Sequence, residues 1–318
     1  MSASMTCPNC QTENPAEAAR CQSCGARLFN KDATAPDLPT LRAGADGERT
    51  QVERAASPGL MLVSGYYTHV GRVRKLNQDS MLVLEMNKIN VSVPSPLGLY
   101  VVADGMGGHA AGEVASGIVV STLARHAQSD LVSAALDGAL DAGRIQQWIK
   151  SAVAAANAAV MEKRATVHSD MGSTLVMALV KDSTAHITHV GDSRAYRLTA
   201  DGELERLTLD HSLVEQLVLS KRITPEQAHS HPQRNVIYRT MGDKEDLEAD
   251  MRSVELSAGD RLILCCDGLN GMILDEQIAA IVRAAASPAE AARRLVEAAN
   301  EAGGQDNITA IVVEAAAL

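Results

Sequence analysis

Three aspartates stand at the ends of apolar, strand-like segments of this 318-residue chain: Asp104 follows LYVVA, Asp267 follows RLILCC, and Asp306 precedes NITAIVVE. Each alone is explained by an ordinary turn or helix cap, since Asp-Gly is a common turn pair. Three carboxylates that converge at one end of a domain repel one another unless cations lie between them. Carboxylate oxygens favour Mg²⁺ or Mn²⁺ over zinc, and two such ions activate water and stabilise a phosphoryl transition state.

Two further segments carry residues of the same chemistry. In GRVRKLNQDS, Arg74 lies close to Gln78 and Asp79 at the start of a predicted strand. An arginine binds phosphate oxygens with two parallel hydrogen bonds, although a lone surface arginine is more often simply solvated. In THVGDSRAYRL, Asp192 falls in a predicted hairpin turn, where a capping role is the ordinary one.

Four cysteines near the N-terminus have the spacing of a metal site. Cys7, Cys10, Cys21 and Cys24 form C-x2-C-x10-C-x2-C. Four thiolates close a tetrahedral structural zinc site, and metal binding supplies the folding free energy that so short a segment lacks. A pair of unrelated surface thiols is the alternative. Arginines and glutamates balance in this segment, so docking of a protein partner or autoregulation is favoured over nucleic-acid binding.

Composition divides the chain into three segments. Residues 1–29 hold the cysteine pairs and are predicted to form a zinc ribbon. Residues 30–57 are polar, contain Pro and Gly, and show no apolar period, which predicts a flexible linker. Residues 58–318 are periodic throughout and are predicted to form the main domain.

The periodicity of the main domain predicts a four-layer fold. Strands are predicted at 59–70, 80–86, 97–103, 173–180, 184–190, 194–199, 260–266 and 307–314. Helices are predicted around 115–123, 145–164, 275–285 and 288–300. Short links such as KDST and GDS imply antiparallel hairpins, yet several strands are apolar on both faces. Both features fit an α+β fold in which two antiparallel sheets pack together and helices cover the outer faces.

Charge and composition argue against several classes of protein. The formal net charge is -10 and aromatic residues make up 2% of the chain, which disfavours binding of nucleic acid. No apolar stretch is long enough to span a bilayer, and the first residues lack an apolar signal region. We therefore expect a cytoplasmic protein with no membrane partner.

Six motifs, in order, resemble the PPM family of type 2C protein phosphatases, and in particular its bacterial members. They are GRVRKLNQDS, VVADGMGGHAAGE, DMGSTLVMAL, HVGDSRAYRL, LCCDGLNG and GGQDNITAIVV. The resemblance spans roughly residues 64–315. It implies an α/β/β/α sandwich and a metal-dependent serine/threonine phosphatase, in which a metal-activated water attacks phosphorus without a phosphoenzyme.

The resemblance implies a ligand set for the metal ions. Asp104 would bridge two Mn²⁺ or Mg²⁺ ions, and the carbonyl of Gly105 would hold one of them. Asp267 and Asp306 would complete the other, and Asp192 would help to hold a third ion.

It also implies roles around those ions. Arg74 would bind the substrate phosphate, and Asp79 would hold metal-bound water. Residues 210–242, here called the flap, would lie beside the site. The substrates would be phosphorylated proteins, targets of a cognate serine/threonine kinase.

Two positions depart from the family pattern. Many members have glutamate where this chain has Gln78, and an amide oxygen binds a metal or its water more weakly, which predicts a looser metal cluster. Some members place a histidine, the expected general acid, directly after the Asp-Gly pair, where this chain has Met106. His109 is the nearest histidine, and a helix-start role is favoured for it. Cys265 and Cys266 are predicted to be buried strand residues rather than nucleophiles.

Two alternatives from other classes stay open. One is a catalytically weak or silent domain that binds phosphoproteins, against which the intact aspartates argue. The other is a zinc-ribbon protein that binds nucleic acid, against which acidity and the scarcity of aromatic residues argue.

Overall fold

The computed structural model describes residues 4–6, 12–15, 18, 22–23, 59–90, 93–107 and 111–318. The chain divides into two units, Met1–Arg54 and Ala55–Leu318. In the first unit, β1 (Ser4–Thr6) pairs antiparallel with β2 (Glu13–Pro15). The four cysteines of the predicted zinc site, and the whole predicted linker, lie outside the described residues.

The strands of the second unit form two antiparallel sheets. Its strands are β3 (Leu60–His69), β4 (Asp79–Asn90), β5 (Val93–Met106), β6 (Gly172–Ser173), β7 (Leu175–Lys181), β8 (Thr184–Val190), β9 (Arg194–Leu198), β10 (Leu204–Arg206), β11 (Asp250–Glu255), β12 (Arg261–Cys265) and β13 (Ile308–Ala317). One sheet has the order β10-β9-β12-β13-β3; the other has the order β11-β8-β7-β5-β4, with β6 paired to β5.

The second unit also contains helices, some of which cover the outer faces of the two sheets. They are α1 (Ala111–His126), α2 (Val132–Leu136), α3 (Ala142–Val167), α4 (Leu213–Leu219), α5 (Pro225–His229), α6 (Asp267–Asn270), α7 (Asp275–Ala284) and α8 (Pro288–Glu301), with a π-helical turn at Ala127–Leu131 between α1 and α2. Helices α1 and α3 cover the β5 sheet, and α7 and α8 cover the β13 sheet. None of the helices in the described part of the chain is both long and apolar enough to cross a membrane.

Alternation along the central strands produces the layers. In β5, Leu99 and Val101 point toward α1 and α3, whereas Tyr100 and Val102 point into the space between the sheets. In β12, Ile263 faces α7 and α8 while its neighbours face the other sheet. Each central strand is therefore buried on both faces, which explains the continuous apolar runs in the sequence. The predicted α/β/β/α sandwich is confirmed.

Candidate active site

Strands of both sheets end close together at one end of the sandwich. Asp79 begins β4 and is the register partner of Asp104 on β5. From the other sheet, Asp267 follows β12 and Asp306 precedes β13. Asp192 lies on the link from β8 to β9 and lines the same pocket as Asp267 and Asp306. The structure thus brings together the five aspartates that the sequence singled out.

Asp79 is held by the opposite sheet. Its Oδ2 accepts hydrogen bonds from the Thr309 hydroxyl at 2.6 Å and from the Cys266 thiol at 3.2 Å. Its Oδ1 is buried without a hydrogen-bond partner. Burial, and then the charges of Asp267 and Asp306, raise the pKa of Asp79 to about 7 against the two hydrogen bonds that lower it.

Asp104 lies within a strand and not after one. Strand β5 continues to Met106 because Gly105 and Met106 pair with β6, whereas the sequence predicted its end at Ala103. The Asp104 N–H donates to the Thr174 hydroxyl at 3.0 Å, and the Thr174 N–H donates to the Asp104 carbonyl at 2.8 Å. A Cβ on Gly105 would lie 2.0 Å from the Gly112 carbonyl oxygen, so only glycine allows this close approach to α1.

The central carboxylates lie close together in a partly buried cluster. Burial, and then the charges of Asp79, Asp267 and Asp192, raise the pKa of Asp104 well above its usual value. Burial raises the pKa values of Asp267 and Asp192 as well, and the charge of Asp306 adds to it for Asp267. The Asp267 Oδ1 is buried without a partner. Unpartnered carboxylate oxygens in such a cluster are the ligands that Mn²⁺ and Mg²⁺ require, so these residues fit the predicted ions.

Asp192 lies where the chain crosses from one sheet to the other. Strand β8 pairs with β7 and β11, whereas β9 pairs with β10 and β12. The prediction of a hairpin at this GDS link is therefore wrong: the link joins two sheets. The crossing needs a sharp turn, and Gly191 supplies it at φ +103.

Arg74 lies at the edge of the cluster. Its Nη2 donates to the Asp306 Oδ2 at 2.6 Å, and 48% of its side chain is exposed. Its loop is fixed by Asn307, which donates to the carbonyls of Val70 and Leu76, both at 2.9 Å. The Asn307 Oδ1 accepts from the Gln78 N–H at 2.8 Å. The sequence did not lead us to predict these hydrogen bonds of Asn307, although a polar Asn directly after Asp306, at the start of an apolar strand, was a usable signal.

Gln78 is held mainly through its backbone. Its carbonyl accepts from the Ser116 hydroxyl at 2.7 Å and from the Gly105 N–H at 3.1 Å. Its side-chain Nε2 lies 3.5 Å from the Gly107 carbonyl. The amide therefore lies next to the segment that carries Asp104, where a carboxylate would add charge to the cluster.

A pocket of about 460 Å³ opens beside the aspartates. Its walls come from the flap, including α4 and α5, and from the segment that begins at Asp267. Arg194 fixes the first flap residue, because its guanidinium binds both carboxylate oxygens of Asp210 at 2.7 to 3.1 Å. The pocket reaches the carboxylates of Asp192, Asp267 and Asp306.

Of the other residues discussed from the sequence, two cysteines are buried and one histidine lies outside the described residues. Cys265 and Cys266 are buried as predicted, and burial raises the pKa of Cys265 to about 12, so neither is a thiolate nucleophile. His109 lies outside the described residues.

Two parts of the chain match models of known protein families. Residues 72–309 match the family model "Protein phosphatase 2C", and residues 6–28 match that of the zinc-ribbon domain. The chain is 36% identical over 252 residues to the serine/threonine phosphatase Stp of Listeria welshimeri, covering 78% of this chain and 94% of that protein. The chain belongs to the protein phosphatase 2C family.

A second relative is longer than this chain. The chain is 40% identical over 247 residues to the serine/threonine protein phosphatase PstP of Mycobacterium tuberculosis. That match covers 77% of this chain and 43% of the relative, so the chain spans less than half of that protein's length.

Solved structures agree with the family. The M. tuberculosis PstP/Ppp crystal structure aligns with a TM-score of 0.69 at 36% identity, covering 81% of this chain and 100% of that one. A structure of the PstP catalytic domain in complex with two manganese ions aligns with a TM-score of 0.67 at 34% identity, covering 81% of this chain and 99% of that one.

Proposed function

We propose that this protein is a metal-dependent serine/threonine protein phosphatase that hydrolyses phosphoserine and phosphothreonine through a metal-activated water. The observation that carries the proposal is the partly buried cluster of aspartates from both sheets, which includes the buried and unpartnered Oδ1 of Asp267. Membership of the protein phosphatase 2C family supports it, as do relatives named serine/threonine phosphatases.

The aspartates would hold two Mn²⁺ or Mg²⁺ ions, with a third as an addition. Asp104 would serve both ions, with the Gly105 carbonyl beside it, while Asp267 and Asp306 would hold one of them. Asp192 would hold the third. When bound, such ions act as Lewis acids and lower the pKa of a bound water toward neutral.

Arg74 and Asp79 would serve substrate and water. The half-exposed guanidinium of Arg74 binds Asp306 in this structure, and it would donate in the same way to phosphate oxygens that enter the pocket. Asp79 would accept a hydrogen bond from bound water, and Thr309 and Cys266 orient its carboxylate for this.

The wider organisation follows the same proposal. Residues 58–318 would be the phosphatase domain, 1–29 a ribbon with a structural Zn²⁺ on Cys7, Cys10, Cys21 and Cys24, and 30–57 a flexible linker. The match of residues 6–28 to the zinc-ribbon domain supports the ribbon. The substrates would be targets of a cognate serine/threonine kinase, and the ribbon would dock a protein partner. Cytoplasmic location stays a prediction that cell fractionation would test.

The test is release of phosphate from phosphoserine and phosphothreonine peptides during titration with Mn²⁺ or Mg²⁺. The full chain and a chain lacking residues 1–57 are compared, together with the variants Asp104→Asn and Asp260→Asn. Asp260 is a matched control, because it is buried at the start of β12 and accepts from backbone N–H groups at 3.0 Å.

We expect hydrolysis that needs the metal, fails in Asp104→Asn, and persists in Asp260→Asn. Full hydrolysis in excess chelator, or by Asp104→Asn, contradicts the proposal. Tight binding of phosphopeptides without phosphate release would instead establish the silent phosphoprotein-binding alternative.

A further inference from the structure

Two stacked histidines lie at the base of the flap, beside the link that carries Asp192. The rings of His189 on β8 and His211 at the start of the flap are 4.7 Å apart and inclined by 21°. Both side chains are buried. With Asp250 they form a group whose ligand atoms lie close enough together to hold a metal ion.

A cation of the protein already lies in that group. The Arg239 Nη1 donates to the Asp250 Oδ1 at 2.7 Å and to the Glu248 carbonyl at 3.0 Å, and it lies 3.2 Å from the His211 Nε2. The His189 Nε2 is bonded to the Leu209 carbonyl at 2.8 Å. A guanidinium in this position would repel a metal ion, so the group has another role.

His211 is bonded to the turn that precedes Asp192 through two hydrogen bonds. The Gly191 N–H donates to the His211 Nδ1 at 3.1 Å, and the His211 N–H donates to the Gly191 carbonyl at 2.9 Å. Gly191 has φ +103, and a Cβ there would lie 2.8 Å from the Thr174 Cγ2. This turn therefore has little conformational freedom, and the His211 ring satisfies its buried N–H.

The second ring nitrogen faces the end of the flap. Because Nδ1 accepts a hydrogen bond, the proton of the neutral ring is on Nε2, which lies 3.4 Å from the Asp250 Oδ2. Burial, then His189 and Arg239, lower the pKa of His211 to about 4, so the ring is neutral near pH 7. The His211 carbonyl accepts from the Tyr238 N–H at 2.9 Å, next to Arg239. His211 thus joins both ends of the flap to the Asp192 turn.

We propose that His211 is a positioning residue for Asp192: its Nδ1 fixes the Gly191 turn, and its Nε2–H faces Asp250, which Arg239 holds in place. The inference rests on the proposed role of Asp192 in holding an additional Mn²⁺. Without the acceptor, Gly191 must find another partner for its N–H, and the turn shifts the carboxylate away from its position.

The experiment compares two isosteric replacements in the full-length protein. In His211→Asn, the amide oxygen takes the place of Nδ1 and accepts from Gly191. In His211→Gln, the amide extends to the position of Nε2 and leaves Gly191 without an acceptor. His186→Gln is the matched control, because His186 is a buried histidine on the same strand β8 whose Nδ1 is bonded to the Ser253 hydroxyl, at 2.8 Å. Asp192→Asn is measured in parallel.

The readout is the Mn²⁺ concentration that gives half-maximal hydrolysis of a phosphopeptide, with thermal unfolding of each variant as the check on folding. We expect His211→Gln to raise that concentration by about tenfold, at the low end of the cost of losing a group that supports a metal ligand. His211→Asn and His186→Gln should match the wild type. Arg239→Met, which keeps the acceptor but frees Asp250, should raise it by a smaller factor.

The outcomes separate this inference from the proposed function. If Asp192→Asn raises the Mn²⁺ requirement but neither His211→Gln nor Arg239→Met does, His211 does not position Asp192 and the inference is wrong. Equal shifts in His211→Gln and His211→Asn also overturn it, because the acceptor then makes no difference. If Asp192→Asn itself leaves the curve unchanged while Asp104→Asn is inactive, the role of Asp192 fails and the inference fails with it, but the phosphatase assignment stands.

Discussion

The aspartates at the two ends of strand β12 are in opposite circumstances. Asp260, at the start, accepts hydrogen bonds from the backbone N–H groups of Ala200 and Ser257, both at 3.0 Å. Asp267, at the other end, has a buried Oδ1 without a partner and lies among the carboxylates of Asp104 and Asp306. A buried carboxylate normally needs hydrogen bonds or a cation. Asp260 therefore serves the fold, whereas Asp267 lacks what a metal ion would provide.

Replacement of aspartate by asparagine at the two ends of β12 should have its most different effects on enzymatic activity. If Asp267 holds a metal ion as proposed, Asp267→Asn should cost several kcal/mol of transition-state stabilisation, which is about a thousandfold in kcat/KM. Asp260→Asn should keep the wild-type kcat/KM and Mn²⁺ dependence at a temperature where it is folded. Phosphopeptide kinetics at saturating Mn²⁺ measure both. Equal losses of activity in the two variants would remove the distinction.

Asp210 provides another buried carboxylate, with a cation of its own. Arg194 binds both of its oxygens, so Asp210→Asn leaves a largely buried guanidinium with only the longer ion pair to Asp275, at 3.7 Å. We expect the free energy of unfolding to fall by about 3 kcal/mol, as for other broken buried pairs. Urea unfolding in chelator measures it, with Asp267→Asn as the comparison. In that metal-free state Asp267→Asn should be at least as stable as the wild type, because it relieves repulsion, and a similar loss in both variants would contradict this.

The acidic end should also make the metal-free protein sensitive to pH. The pKa of Asp79 is about 7 in the folded protein against 3.8 as its ordinary value, so the folded chain holds a proton that the unfolded chain has released. The stability that this proton confers is fully present below about pH 4 and is lost as the pH rises through 7. We expect the metal-free protein to lose about 2 kcal/mol between pH 5 and 7.5.

Thermal unfolding with chelator and with Mn²⁺ tests this pH dependence. Because a bound cation replaces the proton, Mn²⁺ should abolish the loss of stability above pH 5. Asp79→Asn should reduce it in chelator, and Asp260→Asn should not. A metal-free protein whose stability rises between pH 5 and 7.5 would contradict the explanation.

The sequence predicted the four layers and the acidic residues well, but it did not predict the short elements around them. Apolar runs such as LVMALV require burial on both faces, and four layers are the natural result. The edge strand β11 was missed because its residues are largely exposed and polar. Helices α4 and α5 were missed because they are short and almost unburied. Such elements have no apolar periodic pattern of their own that a sequence could show.

No local sequence pattern could predict the contacts between residues that are distant in the chain. The pairing of Asp79 with Asp104 depends on strand register, and the GDS link resembles a hairpin until the sheet of each strand is known. The bonds from Thr309 to Asp79 and from Gly191 to His211 join residues that are ordinary in their own segments. Only Asn307, beside Asp306, stood where a supporting role was predictable.

Gln78 gives the smallest and subtlest test of the acidic end. Its amide lies beside the segment that carries Asp104, where Gln78→Glu would add a negative charge. We expect the Mn²⁺ concentration for half-maximal activity to fall by on the order of tenfold, and the metal-free protein to become less stable because the repulsion increases. Metal titration and unfolding in chelator measure the two effects. An unchanged Mn²⁺ requirement would show that position 78 does not contribute to the metal cluster.

The most direct test of the central claim is a crystal grown with Mn²⁺ and measured at the manganese absorption edge. We predict anomalous peaks between Asp104, Asp267 and Asp306, within bonding distance of the Asp267 Oδ1, and a further, weaker peak at Asp192. Crystals of Asp260→Asn should show the same peaks, and crystals of Asp267→Asn should lose at least one. Absence of manganese at these carboxylates in crystals of the active enzyme would show that they do not hold the metal ions.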